Sequence, residues 1–97
     1  MNAPTLDSGF MAVPAVLTDV VGSAVGLYLY SAFFANPTDD PLPITVTDAA
    51  GNQIIPAKQV PPHDTYSENW ALKPTDGVKW VGPGLYGQIW GHTSWPL

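Results

Sequence analysis

Ile44-Thr45-Val46-Thr47-Asp48-Ala49-Ala50-Gly51-Asn52-Gln53-Ile54-Ile55 is the stretch that decides the fold. Ile44 and Val46 alternate with Thr45 and Thr47, the period of a strand with one apolar and one wet face. Asp48 opens the four residues that follow and Gly51 closes them. Asp in front and a residue free to take positive φ at the end suit a type I turn joining two strands. Asn52 to Ile55 then returns. The stretch predicts a β-hairpin.

Working outward, the chain keeps speaking in short strands. Upstream, Gly22 to Ala35 is apolar on both parities: Val25, Leu27, Leu29 and Phe33 on one, Tyr28, Tyr30 and Phe34 on the other. A strand apolar on both sides lies in a sheet covered by another sheet or another subunit. Asn36 to Pro43 carries Asn-Pro and Asp-Asp-Pro turn chemistry. Phe10 to Val21 reads as a strand broken at Pro14, in preference to a short helix opened there, because Val13, Val16, Val20 and Val21 are β-branched. Met1 to Ser8 is poor in any regular element and reads as an extended arm, either frayed or docked on a partner. Downstream, Pro56 to Pro62 is expected to be irregular. Thr65 to Leu72 alternates, with Tyr66, Glu68 and Trp70 on one parity. Val78 and Trp80 turn inward on a short strand, and Gly82-Pro83-Gly84 reverses the chain. Leu85, Gly87 and Ile89 oppose Tyr86, Gln88 and Trp90 on the last strand, before a tail from His92 to Leu97.

Short strands at this spacing, with turn signals between them and no convincing helix, predict an all-β fold. The expectation is a single small antiparallel β-sandwich or barrel of six to seven short strands, jelly-roll or immunoglobulin-like. An N-terminal arm over residues 1–9 precedes one domain over residues 10–97.

Composition narrows the function. The 97 residues include no cysteine, so no disulfide or thiolate metal site supports the fold. A short chain without such staples relies on a dense core or on neighbours. The net charge is -5, with three lysines and no arginine. That argues against nucleic acid, whose phosphates demand a basic stripe, and against anionic membranes. The apolar stretch from Gly22 to Ala35 is too short and glycine-rich for a membrane helix. Met1 to Phe10 lacks the basic start of a secretory signal, so the expectation is a protein made and assembled in a cytoplasm.

No motif for chemistry survives inspection. His63 and His92 sit in turn-rich segments without a nucleophile elbow, and without cysteine they cannot complete a zinc site alone. Asp39-Asp40 lacks the spaced acidic pattern of a calcium loop and reads as turn chemistry. Glu68, the only glutamate, lies on a strand face with Tyr66 and Trp70, but a 97-residue domain leaves little room for the cleft that paired carboxylates need for glycoside hydrolysis, and on an alternating strand Glu68 is expected on a solvated face. No catalytic, cofactor-binding or metal residue is expected. The aromatic residues carry more information. Trp80 fits a core. Trp90 points away from Leu85 and Ile89, so something must cover its side. Tyr28, Tyr30, Phe34, Tyr86, Trp90 and Trp95 are the expected partner interface, since aromatic residues favour interface anchors.

From Gly26 to Gly91 the chain also resembles small β-sandwich virion proteins of tailed bacteriophages, of the capsid decoration (cement) kind. The strand Leu27 to Asn36, the hairpin Ile44 to Asn52, and the pair Asp76 to Trp80 and Gly84 to Gly91 carry the resemblance. It implies a non-enzymatic structural protein that docks on the head, contacts the major capsid protein or other virion proteins, and forms a closed homo-oligomer, a trimer favoured. The other reading of the same aromatics is a carbohydrate- or receptor-binding module of a tail or fibre, with Tyr86, Trp90 or Trp95 stacking on sugars.

Overall fold

The structure is a computed structural model and describes residues 6–23 and 28–92. Leu42–Asp48 (β5) and Gln53–Val60 (β6) form the expected hairpin. Asp48 holds its turn. Its carboxylate accepts the Asn52 backbone N–H at 2.8 Å and the Asn52 side-chain amide at 2.9 Å. It also accepts the Thr75 N–H at 3.1 Å, tying the turn to the loop at residues 73–77. Gly51 supplies the positive φ, 91°. These donors, the Asn52 side chain foremost, hold the Asp48 carboxyl below the usual carboxylate range.

The remaining pairs enclose this hairpin in order. Tyr28–Ala35 (β4) pairs with Thr65–Leu72 (β7). Thr18–Asp19 (β3) pairs with Val78–Val81 (β8). Leu6–Asp7 (β1) and Met11–Ala12 (β2) pair with Tyr86–His92 (β9). The chain is thus one long hairpin bent back at residues 49–52 and then rolled. Rolling adds β4 beside β9 and β5 beside β8. Two antiparallel sheets result. Sheet I runs β1-β9-β4-β7, with β2 also on β9, and sheet II runs β3-β8-β5-β6. Nested pairing of this kind is the double Greek key of a jelly roll, so of the two sandwich topologies expected, this one forms. The strand expected over Phe10 to Val21 forms as two pieces on either side of Pro14, β2 and β3, each two residues long, as the chain crosses from sheet I to sheet II, and the two-residue β1 is added ahead of them.

The core lies between the sheets. Leu6, Leu29, Phe34, Ile44, Val46, Val60, Val78, Trp80, Leu85 and Ile89 are fully or almost fully buried. Trp80 meets Phe34 edge-on at 6.5 Å, and Val78 and Trp80 face inward as their spacing predicts. Asn36, also buried, shows how a polar side chain is accommodated. Its amide donates to the carbonyls of Asp40 at 2.7 Å and Val60 at 2.9 Å, while its oxygen accepts the Thr38 N–H and hydroxyl.

Four expectations are corrected. The proposed arm is not free over its described part: Leu6 is fully buried and β1 hydrogen-bonds to β9. Residues 1–5 lie outside the described part. The segment after Pro56 is not irregular, because β6 runs through Pro56 to Val60. It is an edge strand, where proline is tolerated, and Ala57 at φ 47° takes up the irregularity. Phe34 is core, not interface. The register of β4 shifts between Leu29 and Ser31 against both neighbours. This bulge turns the strand over, so Leu29 faces inward before it and Ala32 and Phe34 after it. Glu68 is not on the solvated face either. It is half-buried on the inward side of β7, where the Tyr66 hydroxyl donates to its carboxylate.

No described helix is long and apolar enough to cross a membrane.

Candidate docking face

Directly opposed residues of antiparallel strands share a side, so the register of sheet I defines its outer face row by row. Tyr86 lies beside Ala12 and Ala35. Gln88 lies beside Phe33, which lies beside Ser67. Trp90 lies between Asp7 and Ser31, with Asn69 beyond. His92 lies beside Tyr28. Seven aromatic or imidazole rings, from Phe10, Tyr28, Tyr30, Phe33, Tyr86, Trp90 and His92, therefore gather on one side of one sheet. Asp7 is the only carboxylate in these rows.

The rings pack on each other. Phe10 stacks on Tyr86 with centroids 5.8 Å apart and leans on Phe33 at 6.3 Å. Phe10 is nevertheless 56% exposed and Tyr86 44%. At the far end Tyr30 stacks on His92 at 4.7 Å. Desolvation, with Tyr28 beside it, holds the Tyr30 hydroxyl above the ordinary phenol range. The Lys73 ammonium sits 5.9 Å from the Tyr28 ring centre, a cation–π contact at the rim. Between the two ends Gln88 donates to the Asp7 carboxylate at 2.7 Å, and the Gly9 N–H donates to the same oxygen at 2.9 Å. Those bonds, Gln88 first, hold the Asp7 carboxyl below its ordinary value and pin the entering chain across β9.

Gly87 shows how closely a core ring packs beneath this face. A Cβ there would come within 2.5 Å of the Phe34 ring, so the ring lies directly over the glycine. Phe34 fills the inner side while Tyr86 and Gln88, the sequence neighbours of Gly87, stay outside.

Of the six residues expected at the interface, Tyr28, Tyr30, Tyr86 and Trp90 share this face. Phe34 does not, for the reason given, and Trp95 lies outside the described residues. Sequence reasoning missed Phe10, Phe33 and His92. Phe33 was hidden by the bulge at Tyr30. The only signal for Phe10 was its large ring just ahead of a strand.

Of the polar candidates, His92 lies on this face, and His63 and Asp39 meet elsewhere. His63 Nε2 lies 2.5 Å from Asp39 Oδ1, and both side chains are exposed. They join the loop at residues 36–40 to the turn at residues 61–64, supported by the His63 N–H on the Thr38 carbonyl at 3.2 Å. Among the described residues no group of three histidine or carboxylate side chains gathers as metal ligands do. Comparison with family models, curated proteins and solved structures finds no match.

Proposed function

We propose that this chain is a non-enzymatic structural protein of a virus particle, a capsid decoration protein that docks on the head through the outer face of sheet I. The aromatic cluster of that face carries the reading. Large rings with little charge are the material of interface centres, and Tyr and Trp concentrate binding energy there. The jelly roll is a fold used by viral capsid domains. It is used for other purposes too, so the face and not the fold supports the assignment. The acidic balance of the rest of the chain, net -5, favours solubility before docking. The resemblance of residues 26–91 to decoration proteins points the same way.

The test is to bind the purified chain to isolated phage heads lacking decoration protein and to image them. Ordered copies at fixed positions on the head, lost with Phe10→Ser/Tyr86→Ser, are the expected result. Heads that remain bare at saturating protein sink the proposal.

One observation favours a second reading. Ser31, Ser67 and Asn69 line the β7 side of the same face, next to Phe33 and Trp90. Rings beside hydroxyl and amide groups also suit a sugar, and lectins share the fold. Quenching or enhancement of tryptophan fluorescence by a glycan would favour a receptor-binding role in a tail or fibre.

A further inference from the structure

The two sheets end in four edges, and three of them are blunted. β1 and β2 form a short edge broken by Gly9 at φ 71°. β3 is two residues long. β6 is long but carries Pro56, Ala57 at φ 47°, and Lys58. Proline, lysine, irregularity and shortness are the usual guards of an exposed strand. β7 has none of them. Its eight residues, Thr65–Leu72, include no proline, glycine, lysine or positive φ. No described strand lies on its far side. Its one charge, Glu68, is turned inward and bonded by Tyr66.

Such an edge accepts another strand, and its own sequence says which. The chain is acidic, so two copies repel over much of their surfaces. Along β7 they meet Thr65, Ser67 and Asn69 outside and one bonded carboxylate inside. Opposed residues of an antiparallel pair must share a side, which leaves three central registers. Centred on Glu68, two carboxylates oppose each other, which is destabilising. Centred on Asn69, Glu68 faces Trp70. Centred on Ser67, Tyr66 of each copy faces Glu68 of the other, Thr65 faces Asn69, and Ser67 faces itself. Every opposed pair in that register can hydrogen-bond.

We propose that two copies pair antiparallel through β7 about a two-fold axis at Ser67. The contact is isologous and closes as a dimer, in place of the three-fold ring expected from sequence. Sheet I becomes one ten-stranded sheet, five strands from each copy, with both aromatic clusters on the same outer side. The pairing stands apart from what the aromatic face binds.

Sedimentation equilibrium of the full chain tests it. The wild type dimerises in a concentration-dependent manner. Ser67 is exposed, so Ser67→Lys and Ser67→Glu keep the fold, which circular dichroism checks. Each weakens the dimer by about tenfold or more, the effect of roughly 1.4 kcal/mol. An equimolar mixture of the two variants dimerises again, because residue 67 faces its own counterpart. Tyr86→Glu, on the aromatic face, leaves the dimer intact. A wild type that stays monomeric, a Ser67→Lys dimer of full strength, a mixture that fails to recover, or a dimer dissolved by Tyr86→Glu overturns the proposal.

Discussion

The two sheets present opposite surfaces to solvent. On sheet I the outer rows hold Tyr86, Phe33, Trp90, Tyr28 and His92. On sheet II they hold Thr45 beside Val81 and Asp19 beside Lys79. Both sheets are equally apolar beneath, with Phe34 and Ile89 under one and Val46 and Trp80 under the other. Sheet II comes nearer the ordinary plan of an antiparallel sheet, with no ring in these outer rows, although the exposed aliphatics Val16, Leu17 and Val21 flank its edge strand β3. Sheet I breaks that plan, and the break is not needed to close the core. The aromatic surplus of sheet I is therefore not explained by core packing.

The strongest way to break that comparison is to test the line between the inner and outer sides of β4. Phe34→Ala removes a ring wedged between Trp80 and Tyr66 and should cost about 3–5 kcal/mol in chemical denaturation. Phe33→Ala, one residue earlier on the outer side, should cost on the order of 1 kcal/mol, the worth of one aromatic pair. Equal losses would mean that the bulge at Tyr30 does not turn the strand over, and the outer face would have to be redrawn.

That bulge also marks the limit of what the sequence shows. Strict alternation located β8 and β9 correctly, because nothing interrupts their period, and turn chemistry located the hairpin although its register shifts on both sides of Val46. It misassigned Phe34 because one inserted residue reverses every later side chain, and no residue type in Leu29-Tyr30-Ser31 announces the insertion. The pairings of β1 with β9 and of β4 with β7 were hidden for a different reason. They join residues far apart in sequence, whereas turn chemistry reports only on neighbours. Hence a hairpin was legible and its rolling into a jelly roll was not. At the candidate site the aromatic content was legible, while its gathering on one face depended on register.

Gly87→Ala is the next largest perturbation. The added methyl points inward, into the Phe34 ring, and overpacking of this kind costs about 1–3 kcal/mol. The double variant Gly87→Ala/Phe34→Leu should recover part of the loss. Additive losses would mean that the two positions do not share the space between β9 and β4.

A third measurement concerns β7, the edge strand of sheet I. Desolvation, then the hydrogen bond and charge of Glu68, push the Tyr66 hydroxyl up to about 12. A raised pKa means that the folded state holds the proton more tightly than the unfolded state. The resulting stability is complete below the ordinary phenol value, near 10. It is lost as pH rises from there toward about 12. Denaturation midpoints should fall across that window, and in Tyr66→Phe this part of the fall should vanish. An unchanged alkaline profile in Tyr66→Phe would place the proton release elsewhere.

The smallest effect is expected where sheet II carries its charges. Lys79 Nζ lies 3.9 Å from Asp19 Oδ1, and the Asp19 side chain is 75% exposed. An exposed pair at that distance is worth about 0–1 kcal/mol and weakens with salt. Lys79→Ala should therefore shift the denaturation midpoint slightly at low salt and hardly at all in molar salt, and it should leave binding to heads unchanged. Phe10→Ser/Tyr86→Ser should do the reverse, abolishing binding at every salt concentration, because its loss is of apolar area and not of charge. If Lys79→Ala abolished binding and the aromatic variant did not, docking would run through the polar sheet. The difference between the two faces would then mark the reverse of the assignment made for it.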